Sequence, residues 1–186
     1  MMSRRITVRN IFRHLRTVRR HRKWVRKYCF KCGLIWQGLI HDLSKYNPIE
    51  FWESVRYYEG KRSPIDACKE ENGISYAWLH HRGRNPHHWE YWTDNYSSGT
   101  SPQPIPYKYR IEMICDYLGA GRAYMGKKFT YTGEFKWWLS REEQCVMLPE
   151  NKKFIHEVLS ALATLESVGV SKPEKCLRDI IYKFDF

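Results

Sequence analysis

The residues of this sequence most able to do chemistry are imidazoles and a few carboxylates. Eight histidines fall at positions 14, 21, 41, 80, 81, 87, 88 and 156, five of them between 41 and 88. His41 is followed at once by Asp42, directly after the apolar run 34–40. Neutral imidazole together with carboxylate suits Zn, Mn, Fe, Co or Ni. A carboxylate such as Asp42 can also bridge two ions about 3.5–4 Å apart, the spacing of two-metal sites. Neighbours on a continuous helix point apart. His41 and Asp42 can therefore share a site only where a helix ends, one ligating an ion while the other bridges. Asp116 lies among Ile114, Cys115, Tyr117 and Leu118, where a carboxylate is unfavourable unless paired or metal-bound. Lys45 can hold a phosphate or carboxylate as a point charge, and Arg82, Arg84 and Arg122 are candidates for the same duty. Against these stand plainer readings. His21 and His156 read as satisfied core histidines, Lys45 as a surface charge, and Cys29–Cys32 as one CxxC without the second pair of a zinc ribbon. The aromatics Trp89, Tyr91, Trp92, Trp137 and Trp138 read as core, with some free to stack on a base or sugar.

These groups are carried on a succession of predicted helices, since apolar residues recur at helical spacing and strand-type alternation is nearly absent. In the first segment Ile11, His14, Leu15, Val18, His21, Val25 and Tyr28 share a face, and Gly33 is suited to end it. Residues 34–40 read as a second, buried helix ending at His41–Asp42. Asn47-Pro48-Ile49-Glu50 has an N-cap, a proline at the first helical position and an acid at the third. Ser63-Pro64 and Asn85-Pro86 repeat that grammar, the latter placing His87 and His88 in the first turn of a helix. Residues 97–106, with three prolines, read as a loop. A long helix is expected from Tyr107 to about Met125, and further helices at 134–148, 151–168 and 173–183. The fold expected is all-α, one helical bundle over 1–186, with a core site within 14–124 and the C-terminal helices of 134–186 packed on it.

At 186 residues, 42% hydrophobic and 16% aromatic, the chain can bury a sizeable core. No apolar run approaches the ~20 residues needed to span a membrane. The N-terminus is charged rather than signal-like, and the six cysteines read as reduced in a chain of this size. A cytoplasmic protein is the expectation. The first 41 residues hold twelve Lys and Arg and no acid, and the remaining 20 basic residues match 20 acids, so the net +12 resides in the N-terminal segment. A basic face of this kind suits nucleotides, nucleic acid or an anionic membrane surface, or is simply the solvated side of a helix. The Arg-rich, acid-free start also has the character of an organellar transit peptide, although a ligand at His14 would forbid its removal.

The order His14, His41–Asp42, His81, His87–His88, Asp116 resembles the H…HD…H…H…D signature of the HD-domain superfamily, over residues 14 to about 124. "HDLSK" is similar to the HD-x-x-K form of its cyclic-dinucleotide phosphodiesterase and inositol oxygenase branches. "NPHHWEYW" resembles a bacterial and phage-borne family with no assigned function. Simple nucleotidases of the superfamily carry a glutamate where Lys45 stands. The Gly-Tyr-Pro of cyclic-di-GMP phosphodiesterases is replaced here by Trp89-Glu90-Tyr91-Trp92, which argues against that substrate. The resemblance implies an all-helical, metal-dependent phosphohydrolase with one or two divalent transition-metal ions, acting on a nucleotide or another small phosphate ester. It implies ligands among His14, His41, Asp42, His81, His87, His88 and Asp116, with His80 and His81 as alternatives and His87 and His88 unresolved. Asp42 and Lys45 would be catalytic, and Lys45, Arg82, Arg84 and Arg122 would bind substrate. A di-iron oxygenase with the same ligands is the first alternative, and a non-catalytic nucleic-acid binder using the basic N-terminal helix is the second.

Overall fold

A computed structural model describes residues 4–97 and 99–184, apart from the side chain of Tyr96. Residues 1–3 of the transit-like segment, Ser98 of the expected loop and the last two residues of the C-terminal helical stretch lie outside the described residues. The fold is all-α, with one two-stranded hairpin. Among the described residues, no helix is long and apolar enough to cross a membrane.

Helix α1 (Val8–Lys31) begins where the Thr7 side chain accepts the Asn10 N–H, and it turns His14, Val18, His21, Val25, Tyr28 and Cys29 inward. Gly33 follows with φ 79°, a left-handed conformation that glycine adopts without strain. The chain then makes the short α2 (Ile35–Ile40), α3 (Pro48–Arg56), α4 (Pro64–Asn72) and α5 (Tyr76–Arg82). Asn47 caps α3, Ser63 caps α4 and Ser75 caps α5, each through a side-chain oxygen. Glu53 fixes α5 further, accepting the Tyr76 and Ala77 N–H groups and the Ser75 hydroxyl. After the hairpin β1 (Thr93–Tyr96) and β2 (Gly99–Pro102), α6 (Tyr107–Met125) runs beside α1, and α7 (Tyr131–Leu139), α8 (Pro149–Ser167) and α9 (Leu177–Lys183) close the far side. Val25, Tyr28, Met113, Ile114, Leu118, Trp138, Phe154 and Leu162 belong to the main core.

Several local expectations are corrected. Asn85-Pro86 starts no helix: the Asn85 side-chain nitrogen donates back to the His81 carbonyl at 2.7 Å and to Ser44 Oγ at 2.9 Å, which ties the side chain to α5 and the segment after α2. His87 and His88 sit in the resulting turn, ahead of a single 3₁₀ turn at Trp89–Trp92. Part of the expected loop pairs as a hairpin, with Thr93 opposite Pro102 and Tyr96 opposite Gly99. Residues 134–148 are not one helix, because Thr130 caps α7 three residues early and α7 stops at Leu139. The stretch 173–183 is divided into a 3₁₀ turn and α9. Helix α2 is not buried: Ile35, Trp36, Leu39 and Ile40 are exposed, and of its six residues only Gly38 is buried, against Cys29 and Phe30.

Helices α1 and α6 approach closely at Gly119. A Cβ there would overlap Val25 Cγ2 and come within 3.1 Å of the Val25 backbone nitrogen. Gly119 lies one turn from Asp116, so this contact sets how near that carboxylate comes to α1. Gly119→Ala is expected to destabilise the fold by about 1–3 kcal/mol through overpacking. Thermal unfolding should show a midpoint several degrees lower, and an unchanged midpoint would mean that the helices separate freely.

Candidate metal centre

Helix α2 stops at His41, and the following Asp42 has φ 56°, the only positive φ outside glycine among the described residues. Aspartate tolerates this left-handed conformation better than most residues, and here it resolves the problem of adjacent side chains diverging. His41 Nε2 comes 3.4 Å from Asp42 Oδ2, and both residues are almost fully buried.

Two donor groups meet on this carboxylate, one of His21, His41, Asp42 and Asp116, the other of Asp42, His81, His87 and His88. In the first, His21 Nε2 lies 2.9 Å from Asp42 Oδ2, 3.1 Å from Asp116 Oδ1 and 3.3 Å from His41 Nε2, and His41 Nε2 lies 3.4 Å from Asp116 Oδ1. Donors placed tetrahedrally around an ion at bond lengths of 2.0–2.1 Å stand about 3.3 Å apart, so these separations match a common cation. In the second group, Asp42 Oδ1 lies 3.3 Å from His81 Nε2 and 3.4 Å from His87 Nε2, while His81 Nε2 and His88 Nε2 are 2.9 Å apart. Thus Oδ2 faces one group and Oδ1 the other. Asp42 Oδ1 and His87 Nε2 are buried without a hydrogen-bond partner, which buried polar atoms rarely tolerate.

An outer layer of carboxylates orients the rings. Glu112 of α6 accepts from His41 Nδ1 at 2.9 Å and lies 3.2 Å from His87 Nδ1. Glu50 of α3 accepts from His81 Nδ1 and His80 Nδ1, both at 2.7 Å. An Nδ1 held in this way aims Nε2 inward, where it can give up any proton to an ion, as a metal-ligating histidine must. The proximity of His41, His87 and Glu112 is therefore best read as this orienting layer, since their Nε2 atoms already face Asp42. Burial by itself would raise the Asp42 carboxyl, but the charges of His41, Lys45 and His81 and the hydrogen bond from His21 hold it well below its ordinary value. Burial also opposes charge on His87, yet its contacts to Asp42 and Glu112 prevail and push it up to about 10. His88 is driven well down by burial and by the charges of His87 and His81.

Of the candidates from sequence, His41, Asp42, His81, His87, His88 and Asp116 are brought together, and His80 stands outside on Glu50. His14 is corrected: it joins neither group, and its ring packs on Phe51 and Tyr58 with centroids 5.6 and 5.8 Å away. Burial and the Lys45 charge push it down to about 4. His21, read from sequence as a core residue, takes the expected place. The two lie seven residues apart, hence on one face but about 10 Å distant along the helix. Glu50 and Glu112 were missed as well; the one signal was an acid at core spacing on an amphipathic helix. Lys45 Nζ lies 2.5 Å from Asp42 Oδ2. Arg122 is held away from the cluster, donating to the Tyr28 and Tyr131 hydroxyls, and Arg84 bonds the His80 carbonyl from an exposed position. Arg82 lines a separate depression with Leu79 and Trp89. A cleft of about 790 Å³ whose wall includes His88 and Asp116 is also lined by Lys61, Arg62, Lys69, Lys128 and Arg141 and by the acids Asp66, Glu90 and Glu134, with Arg62 paired to Glu59 and Glu70.

Fold and site together define a helical protein with a buried histidine and carboxylate cluster that could hold a metal ion. Residues 10–161 match a family described as a family of unknown function (DUF5662), and the chain belongs to that family. No curated protein matches the chain, and no solved structure does.

Two outcomes follow from the layered geometry. Glu112→Gln should weaken binding of Mn²⁺ or Zn²⁺ by about 10–100-fold, as read by competition with a chromogenic chelator. Because His87 holds a proton at neutral pH when no cation is bound, ion binding should release protons and strengthen as pH rises. Calorimetry in buffers of different ionisation enthalpy measures that release, and an affinity independent of pH would contradict the protonation described.

Proposed function

We propose that the chain is a metal-dependent phosphohydrolase whose substrate is a nucleotide or another small phosphate ester. One observation carries the reading: Asp42 turns one oxygen to each donor group, beside a cleft rimmed by cations. The order His21, His41–Asp42, His81, His87–His88, Asp116 continues to resemble the HD-domain signature, with His21 in first place. The cleft volume falls in the range of small-molecule sites. Trp78, Trp89, Tyr117 and Trp137 offer aromatic faces in its wall, while Lys61, Lys69, Lys128 and Arg141 supply positive charge. That combination favours an anion attached to a planar group.

His21, His41 and Asp116 would hold one ion, His81, His87 and His88 the other, and Asp42 would join them. Bound ions would lower the pKa of water and polarise a phosphoryl oxygen. Lys45, within reach of Asp42, would steady charge developing on the phosphoryl group. Glu134, also in the cleft wall, is kept protonated by burial and by the neighbouring charge of Asp116, which push it up to about 8. It would donate its proton to the departing oxygen.

Elemental analysis of the purified protein and a nucleotide and phosphate-ester panel with Mn²⁺, Co²⁺ or Fe²⁺ test the reading. Phosphate release should be lost, together with metal content, in Asp42→Ala. The same donors suit iron, so O₂ consumption without phosphate release would instead identify an oxygenase. Activity should fall as pH rises through about 8 or slightly below, because an ion on Asp116 relieves part of the repulsion on Glu134. Glu134→Gln should remove that alkaline limb while lowering kcat, and an unchanged profile would exclude Glu134 as the acid.

A further inference from the structure

A large unpartnered surface lies away from the cleft. Helix α2 exposes Ile35, Trp36, Leu39 and Ile40, with Trp36 67% exposed, and the chain beyond it exposes Leu43, Tyr46, Ile49 and Trp52. The i, i+1, i+4, i+5 spacing places the four α2 residues on one side of that helix. Helix α1 lies beside α2, with Arg22 donating to the Leu39 and His41 carbonyls and resting over the Tyr46 ring. By helical period the stripe of α1 next to Arg22 holds Val8, Phe12, Arg19, Arg26 and Phe30, all exposed. Apolar and aromatic side chains are thus interleaved with guanidinium groups over two adjoining helices.

The sign of the charge is uniform. Between residues 4 and 56 the acids are Asp42, Glu50 and Glu53. The first two are buried in the histidine and carboxylate cluster, and Glu53 is engaged by the start of α5. Arg4 pairs with Glu59 and Glu71, whereas among the described residues no carboxylate lies within ion-pair distance of Arg19, Arg22 or Arg26 on this face. Exposed apolar area of this extent marks an interaction surface. Nucleic acid would use the arginines but has no need of Ile35, Trp36, Leu39 and Ile40. A bilayer with anionic headgroups uses both, burying the aliphatic and indole groups at the acyl boundary while the guanidinium groups meet the phosphates.

We propose that the α1–α2 face is a peripheral docking surface for an anionic lipid bilayer. It is independent of the reaction assigned to the cleft. Co-sedimentation of the full chain with vesicles of phosphatidylcholine, alone or mixed with phosphatidylglycerol, provides the test. The protein should sediment only with the anionic vesicles and should be released by salt. Trp36→Ser combined with Leu39→Ser should cut partitioning by about tenfold or more, as should Arg19→Glu with Arg26→Glu. All four side chains are exposed, so circular dichroism melting should show both variants folded. Absence of binding at low salt, or equal binding by the Trp36→Ser/Leu39→Ser variant, would overturn the proposal. So would either of two results without vesicle binding: a dimer dissolved by those substitutions, which would assign the face to a second copy, or salt-sensitive binding to duplex DNA or RNA.

Discussion

The structure is organised around the burial of one carboxylate. Asp42 is 1% exposed, and an ionised carboxylate so placed is prohibitively unfavourable without compensation. Compensation comes from elements far apart in sequence: His21 of α1, His41 at the end of α2, His81 of α5, His87 from the turn beyond, and Lys45 from the following 3₁₀ turn. Each element must stop or bend at a specific residue for its donor to arrive. The left-handed backbone at Asp42 is the local expression of this demand. It ends α2 and swings both carboxylate oxygens into the cluster, one toward each set of imidazoles.

A second layer makes the arrangement unambiguous. Five imidazoles around two carboxylates could share protons in many ways, and each ring could present either nitrogen. Glu112 and Glu50 remove that freedom by accepting from Nδ1 of His41 and His81, which leaves Nε2 facing Asp42. Their positions are set in turn by ordinary helix chemistry. Asn47 capping and Pro48 at the first position fix where α3 begins, and hence which way Glu50 points. The near approach of α6 to α1 at Gly119 places Glu112 and Asp116 on the same wall. Four acids are thereby gathered in a small volume, and two of them, Asp42 and Glu112, together push His87 up.

Much of this was legible in the sequence, and the failures are instructive. The long α6 with Asp116 inward and the Asn-Pro and Ser-Pro starts of α3 and α4 follow from short-range rules that tertiary packing has no reason to override. The choice of His14 over His21 failed because both lie on the same inward stripe of α1. Helical period gives the face but not the height along it, and height is decided by where α2 and α6 cross α1. Asn85-Pro86 failed for a different reason: the Asn85 side chain is tied back to the His81 carbonyl and to Ser44 through its nitrogen, long-range contacts that local grammar does not reveal. Glu50 and Glu112 were passed over because a glutamate on a helix is ordinarily solvated, and their core spacing alone does not reveal that a histidine ring waits opposite.

The exposure of α2 is the mismatch with the most physical content. An apolar run of that length would ordinarily be covered, and a helix of six residues has little stability of its own. Its position depends on Gly38 lying against Cys29 and Phe30 and on Arg22 holding the carbonyls of Leu39 and His41. Those carbonyls belong to the segment that delivers His41 and Asp42 into the cluster. The helix therefore has two faces with different obligations, one fixed to α1 and terminating in the histidine and carboxylate cluster, the other left open toward the surroundings. The same short segment thus carries an open apolar face and, at its end, the residues His41 and Asp42 of the cluster.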